Sequence, residues 1–421
     1  MTEGWRPGIP QPEAGRAGIR IDPASVDCDR MDPQPSLKGW MVKFQVNRDV
    51  FSDAVSFAVK LLPQRTTMPI LSGVLIEASD GELVFSSFDY EVSARTKVAA
   101  EVDEPGRVLV SGRLLADIAG RLPAAPVEVA TDEGRVTIRC GSGRFTLLSM
   151  PVEEYPSLPV IGDGAGLVPG EDFAQAVAQV AVAASRDDVT PVITGVQLEV
   201  SETSLSLVAT DRYRVAIRDI DWDAGSSGIE AATALVPART LAEIGKTFSH
   251  SDTVAVTITN RDERELISFS ADQKTVTSLL IKGNFPPVKR LFPEVVEDSA
   301  VVSTSDLADA VRRVSLVLER EAALRFSFGE AGLTLEAIGG EQAQASELID
   351  CVLTGEPTVV SLKPQFLLDA LGAVHSEFVR IGFTKTENPN KPGPVLITAQ
   401  SSRDDAGESF RYLLQPNLLL R

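Results

Sequence analysis

Histidine and cysteine are scarce in this chain, and their scarcity removes most hydrolytic, redox and metal chemistry. The two histidines, His250 and His375, lie in unrelated contexts, and the three cysteines, Cys28, Cys140 and Cys351, are odd in number, widely spread and never spaced Cys-x-x-Cys. That pattern offers no zinc ligand set and no disulfide framework, and it fits a reducing compartment. No stretch approaches the ~20 apolar residues that a membrane helix needs. There is no G-x-x-x-x-G-K-[ST] phosphate loop and no G-x-S-x-G elbow. Gly162, Gly164 and Gly166 look superficially like a phosphate loop, but no strand leads into them and they read as a linker. No catalytic residue, no metal and no cofactor is expected. What abounds is acid: the net charge is −19, which at face value argues against nucleic acid, because DNA-binding domains carry a basic footprint.

The strongest positive signal is repetition. Residues 49–73 and 171–195 share an acidic start, an apolar helical stretch, a polar break and then Pro-x-x-[Ser/Thr]-Gly-Val. Phe51 and Phe173, Pro69 and Pro191, and Asp89 and Asp211 are each 122 residues apart. A third helix, 305–320, repeats the pattern with Leu307, Ala310 and Val311, and Leu115, Leu241 and Leu367 recur every 126 residues in the second helix of each copy. The period is too long for a solenoid unit. The 421 residues accommodate about three domains. These fall at 41–162, 163–293 and 294–421, separated by Pro/aromatic connectors at 149–166 and 283–299. Residues 1–40, rich in Pro and Gly and without either period, read as a disordered extension, with Met41 an alternative start.

Each copy reads as two helices on antiparallel strands, an α+β unit with its helices on one sheet face. Three units side by side predict a continuous curved sheet with six helices on its inner side. Asp89 and Asp211 invite an acid/base reading, but recurrence with the fold favours a strand-end or turn role. The segments 49–65, 111–122, 171–186, 239–247, 305–320 and 362–372 carry charges of 0, +1, −1, +1, 0 and 0, so the acidity lies on sheets and loops. Basic residues gather at helix ends, where cations also complement the macrodipole. The alternative reading is a sparse cationic lining that touches phosphates without sequence preference. The candidate DNA-binding residues are Arg65, Arg113, Arg121, Arg186, Arg239, Lys246, Arg312 and Arg313.

The stretches 68–77, 88–94, 108–118, 144–159, 208–218 and 412–416 resemble the bacterial sliding clamp, the beta subunit of DNA polymerase III, of actinobacterial type. The resemblance runs from about Met41 to the C-terminus and is loosest in the third copy. It implies three clamp domains, a head-to-tail homodimer closed into a ring around double-stranded DNA of any sequence, and a non-catalytic processivity role in the cytoplasm. It also implies partners: the polymerase alpha subunit, the clamp loader and other proteins with clamp-binding motifs. Its partner-peptide pocket maps onto Ile193, Thr210, Arg212, Tyr213, Arg214, Val215, Pro286, Leu291, Phe366, Leu413 and Gln415. Its DNA contacts include Arg65 and Arg186. Its ring seam sets Arg144, Phe145 and Leu147 of one subunit against Val317 and Leu318 of another. The chain departs from the family at its end, where Gln415 replaces an apolar pocket residue. That departure raises an alternative, a divergent second-copy clamp for repair or for resistance to a clamp-directed antibiotic. An enzyme with an unrecognised site and a pure protein-interaction scaffold are the competing classes.

Overall fold

The computed structural model describes residues 41–421 apart from 63–67, 163, 226–230, 262–263, 320–321, 340–342, 386–392, 403–404 and 418–421. The expected extension at 1–40 lies outside the described residues. Among the described residues six α-helices appear, two per repeat: α1 (Arg48–Lys60), α2 (Gly112–Ala119), α3 (Gly170–Ala181), α4 (Ala238–Thr247), α5 (Thr304–Val314) and α6 (Pro364–Val374). In α1, Asn47 caps the first turn by accepting from the backbone N–H groups of Asp49 and Val50, as a short polar N-cap does. Phe51 and Phe173, at equivalent places in α1 and α3, are fully buried against Phe85 and Phe269. Leu307 of α5 is likewise buried.

The repeat landmarks are local conformations that the chain needs twice. Pro69–Ser72 and Pro191–Thr194 each form a short 3-10 turn. In each, a hydroxyl bonds back to the proline carbonyl, Ser72 Oγ at 2.6 Å and Thr194 Oγ1 at 2.7 Å. A Cβ on the following Gly73 or Gly195 would meet Leu109 or Leu235 at 2.7 and 2.8 Å. Asp89 Oδ1 accepts from the N–H groups of Glu91 (3.0 Å) and Val92 (2.7 Å). Asp211 Oδ1 does the same for Tyr213 (3.0 Å) and Arg214 (3.1 Å). Each Asp closes a turn whose next residue is left-handed, Tyr90 at φ 74° and Arg212 at φ 79°, so both are turn formers. Asp89→Ala is expected to cost about 1 kcal/mol while Asp89→Asn, which keeps the acceptor, costs little; urea midpoints of the two variants check this.

The expectation of one continuous sheet needs correction. The described strands form three antiparallel sheets of thirteen, nine and four strands. The described strands of the first repeat all lie in the thirteen-stranded sheet, those of the second and third are each divided between two sheets, and two sheets cross from one repeat to the next. Strand Lys274–Leu279 of the second repeat pairs with Val92–Ala99 of the first. Strand Arg214–Asp221 of the second pairs with Asp405–Leu414 of the third. Backbone pairing therefore joins the repeats at two similar seams. A core of its own fills the first repeat, while a single core runs through the second and third. Across that second seam, Gln179 Nε2 donates to the Ala373 carbonyl at 2.6 Å.

Four of the described helices, α1, α2, α3 and α5, are shorter than expected, and this changes the charge argument. α3 stops five residues before Arg186, and α5 stops at Val314. With the observed bounds, α1 to α6 carry 0, 0, −2, +1, 0 and −1. The helices are thus not basic; the cations beyond α2 and α3, Arg121 and Arg186, sit on the loops that follow them.

Candidate functional site

The seam between the second and third repeats carries a cavity of about 420 Å³. The Asp211 turn, the loop after α3 and the first turn of α6 build it. Of the expected pocket residues, Ile193, Arg212, Tyr213, Arg214 and Phe366 line it, joined by Ala184, Thr190 and Asp369. Its organising group is Arg214, whose side chain is only 6% exposed. The guanidinium donates from Nε to Asp211 Oδ2 at 2.8 Å and from Nη1 to Asp369 Oδ2 at 2.6 Å and Tyr412 Oη at 3.0 Å. It also lies 4.4 Å above the Phe366 ring. Burial works against the cation, but Tyr412, Asp369 and Asp211 outweigh it and raise its pKa. Burial pushes the Tyr412 phenol up as well, so its hydroxyl stays protonated and donates onward to the Phe366 carbonyl at 3.1 Å. Phe366 in turn stacks on the exposed ring of Tyr213, centroids 6.1 Å apart. The result is a rigid aromatic wall on a neutralised polar base, suited to an apolar side chain with few directed polar contacts.

The other expected pocket residues fall outside this cavity. Val215 and Leu413 pair in register across the seam and form an apolar cluster with Val208, Ile217 and Val288, flanked by Phe285, Phe292 and Leu396. Leu291 is exposed and Pro286 half-buried on the segment that covers this cluster. Thr210 is buried and braces the turn by donating to the Arg214 carbonyl at 2.7 Å. Gln415 is half-buried beside the aromatic wall, its N–H on the Tyr213 carbonyl at 2.8 Å. Sequence reasoning missed Asp369 and Tyr412 as the groups that position Arg214. Their only signal was a lone acid in α6 and a tyrosine in the terminal strand, and neither declares a partner 155 or 198 residues away.

The expected DNA contacts divide. Arg113 and Arg239 are exposed and have no ion pair with any described residue. Arg121, Lys246 and Arg312 pair with Asp117, Glu243 and Asp309 at 3.4, 2.7 and 2.7 Å, and Arg313 makes a bidentate pair with Glu347. Exposed pairs of this kind contribute little to stability. Arg186 lines the cavity instead of a helix face, and Arg65 lies outside the described residues.

At the expected ring seam Leu147 faces the first core and is 4% exposed, so it is not available to a partner. Arg144 is exposed on the same strand. The exposed apolar side chains there are Phe145 (37%) and Leu148 (71%). Val317 and Leu318 are half-buried against the core, whereas Leu316 of the same 3-10 turn, passed over in the sequence, is 84% exposed.

The three repeats match, in order, the N-terminal, central and C-terminal domains of the DNA polymerase III beta subunit over residues 42–159, 167–287 and 289–402. The chain belongs to the DNA polymerase III beta subunit family. It is 45% identical over 377 residues to the beta sliding clamp of Streptomyces coelicolor, covering 89% of this chain and 99% of the relative. It is 38% identical over 376 residues to the beta sliding clamp homolog GriR of Streptomyces muensis, with the same coverage. In structure it is similar to the Bacillus subtilis sliding clamp, with a TM-score of 0.81, 26% identity, and coverage of 90% of this chain and all of that one. These similarities support the sliding clamp reading and do not favour a divergent second copy. Membership also makes the protein a non-catalytic processivity factor. Among the described residues no helix is long and apolar enough to cross a membrane, and no cluster of potential metal ligands occurs.

Proposed function

We propose that this chain is a sliding clamp of the cytoplasm: two copies close head to tail into a ring around duplex DNA and tether the replicative polymerase. The carrying observation is the seam. Identical strand pairing joins the first repeat to the second and the second to the third, and the described strands leave open sheet edges, two of which lie beside exposed leucines. Residues 143–148 of strand Gly143–Met150 pair on one side only. Strand Ala343–Ile349 is the outer strand of the four-stranded sheet. Open edges beside exposed leucines invite pairing with another chain. A contact between different ends of the protomer is heterologous, and a ring results when the rotation closes. The Tyr213/Phe366 cavity and the Val215/Leu413 cluster then take the apolar anchors of a partner peptide, with Arg214 fixing the wall.

Retention on DNA tests this reading. After loading, the clamp is expected to stay on closed circles and to leave once a single cut linearises them. Equal retention on circular and linear molecules would reject topological tethering.

A further inference from the structure

The seam between the first and second repeats has the construction of the partner seam, but its outer face has changed chemistry. At the partner seam, Val215 and Ile217 face Leu413 and Arg411 across the strand pair. At the first seam, Ser93 and Arg95 face Thr277 and Thr275 in the same register. Lys97 follows, where Asp219 stands 122 residues on. These side chains line a groove of about 370 Å³ whose other wall is the connector Leu158, Pro159 and Ile161. Arg95 and Lys97 are exposed and have no ion pair with any described residue. Lys274 turns to the opposite face and pairs with Asp53 of α1 at 2.8 Å. The one acid on the groove, Asp272, accepts from Ser251 Oγ at 2.6 Å. Two uncommitted cations thus sit beside an apolar wall in a chain of net charge −19.

We infer that this groove is a second docking site, taking an acidic, aliphatic-anchored segment of a protein partner. The inference rests on the clamp reading in one respect. The groove lies on the face away from α1, against which the neighbouring Ala94 and Thr96 are buried. Duplex DNA on the helix side therefore does not reach it. Charge complementarity selects the carboxylates, and Leu158 and Ile161 take the aliphatic anchor. A partner held at the Tyr213 cleft and here at once is held bivalently, with a gain set by effective concentration.

The test uses the full chain and a fluorescent peptide of glutamates with leucine at every third position, together with a photo-crosslinking form of it. Crosslinks are expected within 158–161 or 270–277. Anisotropy is expected to show binding that weakens with salt, drops by about tenfold or more in Arg95→Glu/Lys97→Glu, and is absent for the glutamine counterpart of the peptide. Arg95→Ala alone should give a smaller loss, which guards against a folding defect in the double variant. Crosslinking only at Tyr213 or elsewhere, undiminished affinity in both variants, or displacement by single-stranded DNA at lower concentration than by free peptide would each overturn the inference. Retention of the same variants on circular DNA stays at the unmodified level if the ring reading holds, so failure of the groove and failure of the ring give different results.

Discussion

Replacing Arg214 with alanine is expected to destabilise the joined second and third repeats by about 3 kcal/mol and to remove binding of clamp-motif peptides. The guanidinium serves Asp211, Asp369 and Tyr412 from one position at 6% exposure. Its loss strands two carboxylates that are themselves mostly buried, at 12% and 17% exposure. Leaving one charge of a buried pair without its partner costs more than the pair contributed; the cavity's opening to solvent keeps the estimate at the low end. The Phe366 ring also loses the cation stacked on it, and with it the alignment that places Tyr213. Arg214→Lys keeps the charge but not the fork, so it is expected to fall between wild type and alanine. Urea unfolding gives the stability change and peptide anisotropy the binding. Unchanged affinity in the alanine variant would show that the wall does not depend on Arg214.

Phe145→Asp combined with Leu316→Asp is expected to leave a folded monomer of 45.0 kDa where the unmodified chain runs at twice that mass. Leu316, at 84% exposure, lies on a turn packed beside the open edge strand Ala343–Ile349, which exposes Leu348 at 59%. Phe145 and Leu148 lie on the other open edge. Burying a large apolar side chain contributes roughly 1.5–3 kcal/mol, and a ring of two protomers has two such contacts, so each substitution acts twice. A carboxylate placed there adds a desolvation cost. Neither side chain is fixed in a core, so the monomer's melting should change little while retention on circular DNA is lost. Native mass spectrometry reads the first effect; a dimer in the double variant would sink the assignment of these edges.

Much of the fold was legible because the chain states it twice. The 122-residue offset located the helix starts, the Pro-x-x-[Ser/Thr]-Gly turns and the Asp turns, all of which depend on neighbours within a few residues. Helix ends were less legible: α3 stops before Arg186, the basic residue assigned to it, although α5 keeps Arg312 and Arg313 in its last turn, because apolar spacing continued past the point where the α3 backbone ladder broke. The site was legible only in part. Tyr213 and Phe366 were named without any sign that they stack, and Leu147 was named for the seam although alternation along its strand turns it into the core. The neighbouring Leu148 and the Leu316 turn carry the exposure instead.

Local rules settled the repeat, the turns and the two-helix unit, since each follows from residue types at short separation. Tertiary structure alone decided which strands meet at the seams. That choice gathers Asp211, Arg214, Asp369 and Tyr412 from distant parts of the chain around one buried charge. It also sets an apolar face at one seam and a cationic face at the other. Strand pairing across repeats is a long-range event, and a residue's own sequence neighbours carry no record of it.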